Sequence, residues 1–121
     1  YLISGGGDKR VIIWDMKRFK KAAEYKHDNF VYAVSSFYRQ GAFYVVSGAF
    51  DHKIKLFSFE QNRVIREYDA GEMVENNSIS VSKRYGVIAV AVPNKRKILF
   101  FDLQLNLRRK IKTDTEPVGT A

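Results

Sequence analysis

One stretch of the chain holds a hydroxyl, an imidazole and a carboxylate, the three groups of a nucleophilic triad. They belong to Ser47, His27 and Asp51. In an acyl-transfer enzyme the imidazole takes the proton of the hydroxyl, and the carboxylate orients the imidazole. The same groups also form purely structural hydrogen bonds where they are buried, because buried polar groups need partners. The elements that position the three residues decide between these two interpretations.

Other catalytic and cofactor patterns fail on their residues. Gly5, Gly6 and Gly7 lack the Gly-Lys-Ser/Thr ending of a phosphate loop, and they join two predicted strands instead of opening a helix. The chain has two histidines, His27 and His52, and no cysteine, so a metal site would lack a third ligand of these types. We therefore expect no catalytic residue, no metal, no cofactor and no small-molecule substrate.

A short signature occurs twice, 43 residues apart. The first copy runs from Ser4 to Asp15 and the second from Ser47 to Ser58, and a weaker third copy with one inserted residue runs from Ala91 to Asp102. Each copy holds a β run, a turn and a second β run that contains an aromatic residue near its end. Repeats of about 20 to 50 residues are typical of solenoids, propellers and other arrays.

Runs rich in β-branched and aromatic residues predict strands in every unit. Pairs of such runs flank the turns Gly5–Asp8, Ala49–His52 and Pro93-Asn94. A further short strand follows each pair, and another precedes it. No stripe with the 3.6-residue helical period is present. The sequence thus predicts an all-β protein of antiparallel four-stranded units, and it excludes a helical bundle.

This pattern resembles the WD40-repeat family, whose members are β-propellers built from four-stranded blades. Trp14 and Asp15 form the one complete Trp-Asp dipeptide, and His27 lies at the family's Gly-His position with lysine in place of glycine. Phe57 replaces the second tryptophan, and the third unit lacks the family's serine, aspartate and histidine. The resemblance covers the whole chain in outline and is closest in residues 1–58.

The resemblance implies a partial WD40-type β-propeller. The implied units are the end of a first blade (1–26), a second blade (27–69), a third, degenerate blade (70–112) and the start of the next (113–121). Propellers close with about four to eight blades, which two blades and a fraction cannot do. We therefore expect the chain to be one sector of a larger propeller.

The resemblance also implies a structural role for the polar residues of the signature. In WD40 proteins an aspartate, a histidine, a serine or threonine and a tryptophan form a buried hydrogen-bond relay at these positions. The implied members here are Ser4, Asp8 and Trp14 in the first blade, and His27, Ser47 and Asp51 in the second. Phe57 has no indole N–H, so the second relay is expected to end at Ser47. We favour this structural role over acyl transfer.

Two aromatic residues stand apart from the others, which are expected in the core between blades: Phe37, Tyr38, Phe43, Phe57, Phe100 and Phe101. In WD40 propellers the position of Phe30 faces partners, and Phe50 lies in the hairpin next to His52 and Lys53. Large aromatic residues at turn tips favour a contact with a partner. These four residues form the predicted protein-binding site. The alternative is that the two rings pack on each other or beneath a neighbouring loop.

The chain is basic, with 21 Lys and Arg against 13 Asp and Glu and a formal net charge of +8. Five cations would line an arc across three hairpins on one face: Lys9, Arg10, Lys53, Lys95 and Arg96. A second set would lie on the opposite face: Lys17, Arg18, Lys20, Lys21, Arg39, Lys83 and Arg84. Arrayed cations bind nucleic-acid phosphates with release of counterions. Lysine and arginine in turns also serve solubility alone, and both interpretations remain open.

Two functional classes follow. The leading one is a non-catalytic WD40 scaffold that mediates protein–protein interactions within a multi-subunit complex. The alternative is an RNA-associated propeller subunit, either in ribosome biogenesis or as the non-catalytic partner of a tRNA guanine methyltransferase, that binds RNA through its basic surface. The lack of cysteine and of a long apolar run favours an intracellular location, cytoplasmic or nuclear, with no membrane partner.

Overall fold

The computed structural model describes residues 1–75 and 78–113, which form three antiparallel sheets. The first sheet contains β1 (Leu2–Gly5), β2 (Arg10–Asp15) and β3 (Lys20–Lys26). The second contains β4 (Val31–Arg39), β5 (Ala42–Ala49), β6 (Lys53–Ser58) and β7 (Arg63–Asp69). The third contains β8 (Ile79–Ser82), β9 (Val87–Val92), β10 (Lys97–Asp102) and β11 (Leu107–Lys112).

Each sheet is a meander, in which every strand pairs with the next one along the chain. The one helical element in the described part is a single 3₁₀ turn, Pro93–Lys95, and no helix there is long and apolar enough to cross a membrane. The prediction of an all-β protein with antiparallel sheets is confirmed. A partial propeller fits this arrangement and stays a prediction. The expected start of a further unit at 113–121 lies outside the described residues, apart from Thr113.

The three sheets repeat one local backbone geometry. In each sheet, the hairpin before the second-to-last strand holds a residue with positive φ, namely Lys9 at 69°, His52 at 70° and Arg96 at 50°. The carbonyl of that residue accepts a hydrogen bond from the residue that follows the sheet's last strand: His27 (2.9 Å), Ala70 (2.7 Å) and Thr113 (2.7 Å). These bonds place the three hairpins and the connections that leave each sheet at the same end of the sheets.

The middle sheet packs against both neighbours, because alternate residues of its strands enter two separate hydrophobic clusters. On β5, Val45 and Ala49 join Val11 and Ile13 of the first sheet. Val46, between them, joins buried residues of the third sheet. The core therefore lies in the two spaces between successive sheets.

Four of the six predicted core aromatics are buried: Phe37, Phe43, Phe57 and Phe101. The prediction is wrong for Tyr38, which is 49% exposed. Tyr38 lies near the end of the edge strand β4, where its ring covers that of Phe43 at 4.8 Å between centroids. Phe100 is only half-buried, because it alternates with Leu99 and Phe101 and so points away from the middle sheet.

The signature's glycine lets the segment that leads to the next sheet pass close to the sheet that it leaves. A Cβ atom on Gly48 would overlap the side chain of Val74, and one on Gly5 would lie 2.7 Å from a methyl group of Val31. Val31 and Val74 occupy matching positions 43 residues apart, and each follows the last strand of the sheet whose glycine it contacts. The glycine of the signature is thus required by space, since its φ is not positive.

Gly48→Ala is therefore expected to lower the free energy of unfolding by about 1–3 kcal/mol, as overpacking of a core does. Urea titration would measure the loss. Gly7→Ala is the matched control, because nothing lies within 4 Å of the added methyl group. It should cost less than about 0.5 kcal/mol. Equal losses in the two variants would contradict the close approach.

Candidate functional site

The His27 imidazole joins two side chains of the middle sheet. Its Nδ1 lies 3.0 and 3.2 Å from the two carboxylate oxygens of Asp51, and its Nε2 lies 2.7 Å from Oγ of Ser47. The backbone N–H groups of Asp28 and Lys53 donate to the same carboxylate at 2.8 and 2.9 Å. The structure thus brings together the three residues that suggested a nucleophilic triad.

The hydrogen bonds continue beyond Ser47 to a residue that the sequence did not suggest. Oη of Tyr25 lies 2.6 Å from Oγ of Ser47, and the Tyr25 ring stacks on Phe57 with centroids 4.6 Å apart. The prediction that the relay ends at Ser47 is therefore wrong. Phe57 cannot donate, and a hydroxyl from the last strand of the first sheet donates in place of an indole. We call Tyr25, Ser47, His27 and Asp51 the buried network.

Burial fixes the proton arrangement in the buried network. The His27 side chain is fully buried, and this burial lowers its pKa despite the opposing charge of Asp51. Burial would raise the pKa of Asp51, but the backbone N–H groups and the His27 ring that donate to it lower the pKa overall. A neutral imidazole thus donates its Nδ1–H to Asp51 and accepts a hydrogen bond from the Ser47 hydroxyl at Nε2. Tyr25, whose pKa burial raises, donates to Ser47.

This arrangement connects two sheets and leaves Ser47 without access to a substrate. Ser47 has no exposed surface, and its Oγ already has two partners. Tyr25 belongs to β3 and Ser47 to β5, so the bond between them crosses the space between sheets. In this geometry every polar group of the network is satisfied, which is what stable burial requires.

The first sheet retains only part of the relay. Nε1 of Trp14 donates to Oγ of Ser4 at 2.9 Å. Asp8 instead accepts from the backbone N–H and the guanidinium of Arg10, both at 3.2 Å. In the described part of this sheet no histidine joins Asp8 to Ser4.

The third sheet lacks the histidine and the serine of the buried network. Ala70 and Val90 occupy the positions of His27 and Ser47, and both are buried apolar residues. Tyr68, at the position of Tyr25, packs edge-on against Phe101 at 4.9 Å. Joint replacement by apolar residues avoids an unpaired polar group in the interior.

The free energy of unfolding should fall as the pH drops below about 6.5. Burial lowers the pKa of His27 in the folded protein, so the unfolded chain binds this proton more tightly. The contribution is fully present above the ordinary pKa, and it is lost as the pH falls through that value toward the lowered one. Urea titrations at about pH 7.5 and about pH 5.5 measure the loss. In His27→Gln the loss of unfolding free energy between these two pH values should be smaller. An unchanged loss would contradict the assignment of this pH dependence to His27.

Three aromatic rings form an exposed cluster at the hairpin end of the middle sheet. Phe30 lies 6.3 Å from Tyr32 and 6.5 Å from Phe50 between ring centroids, and Tyr32 lies 4.5 Å from Phe50. Phe30 and Tyr32 are each 41% exposed, and Phe50 is half-buried. Tyr32 thus lies near both of the predicted rings, Phe30 and Phe50, and the group is at the surface. We call these three residues the aromatic cluster.

A β-bulge brings Tyr32 to the aromatic cluster. Val31 pairs with Ala49 and Ala33 with Gly48, so Tyr32 is an extra residue in β4. Val31 and Ala33 enter different hydrophobic clusters, although regular alternation would place both on one face. Sequence reasoning missed Tyr32, because the run that contains it gives no signal of a bulge.

The other two residues of the predicted binding site follow Phe50 in the hairpin. His52 is exposed. The Lys53 ammonium lies 3.5 Å from Asp69 and 3.8 Å from Glu67, both on β7. Lys53 is therefore less available to a partner than its sequence position suggests.

Ion pairs also interrupt the predicted basic arc. The Arg10 guanidinium lies 3.2 Å from Asp8 and 3.3 Å from Glu24, and Lys53 is paired as described. The other three members form no ion pair within the described residues: Lys9, Lys95 and Arg96. The structure thus neutralises two of the five cations that were expected to act together.

No protein-family model matches the chain, and no curated protein matches it significantly. Within residues 1–75 and 78–113, no group of three or more His, Cys, Asp and Glu side chains could hold a metal ion. The function of the protein is therefore inferred from its own geometry.

Proposed function

We propose that the protein is a non-catalytic scaffold that binds other proteins of a multi-subunit complex through the aromatic cluster. Three adjacent rings at the surface, of which Phe30 and Tyr32 are each 41% exposed, carry this proposal. Large aromatic side chains dominate the binding energy of protein interfaces, and a group of them on the surface of a soluble domain marks an interaction site. The three sheets fit a sector of a WD40-type β-propeller, and we place the protein inside the cell, in the cytoplasm or the nucleus.

The buried network helps to fix the two segments that carry the aromatic cluster. Asp51 directly follows Phe50 and accepts hydrogen bonds from His27 and from the backbone of Asp28, and the backbone N–H of Phe50 donates to the carbonyl of Phe30 at 2.9 Å. The two segments that carry the rings are thus tied together before a partner arrives. Such preorganisation reduces the entropy lost on binding.

Quantitative co-purification from cells tests the proposal. Tyr32→Ser should reduce the amount of partner protein that co-purifies, because it removes the ring that lies between the other two. Tyr85→Ser is the matched control, since Tyr85 is 72% exposed and lies in the hairpin between β8 and β9. Partner recovery at the wild-type level in both variants would contradict the role of the cluster.

A second candidate function is an RNA-associated subunit, in ribosome biogenesis or as the non-catalytic partner of a tRNA guanine methyltransferase. One observation favours it. Residues 95–112 carry seven Lys and Arg against the single acid Asp102. These cations lie mainly on β10 and β11, beyond the predicted arc.

A further inference from the structure

The second and third sheets differ in charge at two of three matched positions. In the second sheet Lys53 of β6 lies opposite Asp69 of β7. Its ammonium lies within ion-pair distance of Asp69 and of Glu67, two residues earlier on β7. One lysine and two carboxylates therefore meet on this side of the second sheet.

The same three positions of the third sheet all carry lysine. Lys97 of β10 lies opposite Lys112 of β11, and Lys110 lies two residues earlier on β11, hence on the same side of the sheet. Partial burial and the charges of Lys110 and Lys95 lower the pKa of Lys97. None of these three ammonium groups forms an ion pair with any described residue.

Three lysines on one side of two paired strands are unfavourable without an anion, because like charges directly opposite each other destabilise a sheet. Protection of an exposed edge strand does not require this arrangement. Lysine is a common means of preventing edge-to-edge pairing, but β7 is equally an edge and mixes Arg63 and Arg66 with Glu67 and Asp69. In contrast, β11 has no acid, and all six of its residues are exposed.

We propose that Lys97, Lys110 and Lys112 form a phosphate-binding site for the backbone of a nucleic acid strand. Lys110 and Lys112 are alternate residues of β11 and lie on one side of it, about 6.6 Å apart along the strand. With Lys97 opposite Lys112, the charges on this side form a track that is longer than one phosphate group. Release of counterions from the strand supplies the binding energy.

The charge pattern of the second sheet provides the test variant. Lys110→Glu with Lys112→Asp installs the carboxylates of β7 on β11, so the sheet should be at least as stable as in the wild type. Fluorescence anisotropy with a single-stranded RNA of about 20 nucleotides measures binding over a range of salt concentrations. We expect at least a tenfold loss of affinity at low salt. The slope of log K against log salt should fall by about 2, since each phosphate contact on a single strand contributes about 0.7 and three contacts are lost. Two lysines are replaced, and Lys97 pairs with the new carboxylates as Lys53 does with those of β7.

Lys17→Glu with Lys83→Asp changes the net charge equally and is the control, because both residues are exposed and form no ion pair in the described part of the chain. It should keep most of the affinity and the slope. Equal losses in both variants would overturn the site, since total charge would then explain binding. If the carboxylate variant fails to fold, Lys110→Gln with Lys112→Gln tests the same contacts.

Two further probes distinguish other sources of phosphate. Inorganic phosphate at about 1 mM should not displace the RNA, because one ion cannot replace a track of contacts. Complete displacement would overturn the proposal in favour of a single-phosphate ligand. Binding to vesicles of phosphatidylcholine and phosphatidylserine, with no binding to RNA, would overturn it in favour of a membrane surface. Because neither the variant nor the probes involve the aromatic cluster, failure here is distinct from failure of the scaffold proposal.

Discussion

Replacing His27 with alanine is expected to lower the free energy of unfolding by about 1–3 kcal/mol. The substitution removes the ring that joins Asp51 to Ser47. The buried Ser47 hydroxyl then lacks an acceptor, although Tyr25 still donates to it, and the Asp51 carboxylate lacks one of its donors. Asp51 keeps the two backbone N–H groups that donate to it, which limits the loss. Urea titration of the intact protein measures it.

Two variants separate the network from a general effect of substitution. His52→Ala removes an exposed histidine and should change the free energy of unfolding by less than about 0.5 kcal/mol. Tyr25→Phe removes only the last donor, and Ser47 keeps its bond to His27, so the loss should be about 1 kcal/mol. If His27→Ala costs no more than His52→Ala, the buried network does not stabilise the protein.

The second large effect is expected on binding. Phe30→Ala combined with Phe50→Ala should lower the affinity for a protein partner about thirtyfold or more. Truncation of an aromatic anchor costs about 2 kcal/mol or more of binding free energy, and each 1.4 kcal/mol is a factor of ten in affinity. The stability of the free protein should change by less than about 1 kcal/mol, since Phe30 is 41% exposed and the rings lie at the surface. Titration calorimetry and urea titration on the same preparations measure the two quantities.

Phe19→Ala is the control for this prediction. Phe19 is 83% exposed and lies in the hairpin between β2 and β3. This hairpin is at the other end of the sheets from the aromatic cluster. Its removal should leave the partner's affinity unchanged. If the double variant instead unfolds and loses binding only in proportion, the rings are part of the core and the site is wrong.

The strands could be predicted because their signals are local. Alternating apolar residues favour a strand through neighbours only a few positions away. Turn residues are equally local: Asp51 accepts a hydrogen bond from the backbone N–H of Lys53 in its own hairpin. The three-residue contact of His27, Ser47 and Asp51 followed from the repeat, since the resemblance supplied their spacing.

The missed features all depend on contacts between sheets or on irregular pairing. Tyr25 reaches Ser47 across the space between two sheets, and no pattern in the second unit encodes that contact. Tyr32 joins the aromatic cluster through a bulge, which alternation does not reveal. Arg10 and Lys53 looked available in the hairpins, but strands paired beside them supply carboxylates.

Hydroxyl-radical footprinting of the protein with and without its partner tests the central claim most directly, because aromatic side chains react readily and report their own exposure. The scaffold account predicts that oxidation of Phe30, Tyr32 and Phe50 falls in the complex. Oxidation of Phe19 and Tyr85, which are more exposed than any ring of the cluster, should stay unchanged. Unchanged oxidation of all three cluster rings in a saturated complex would contradict the account.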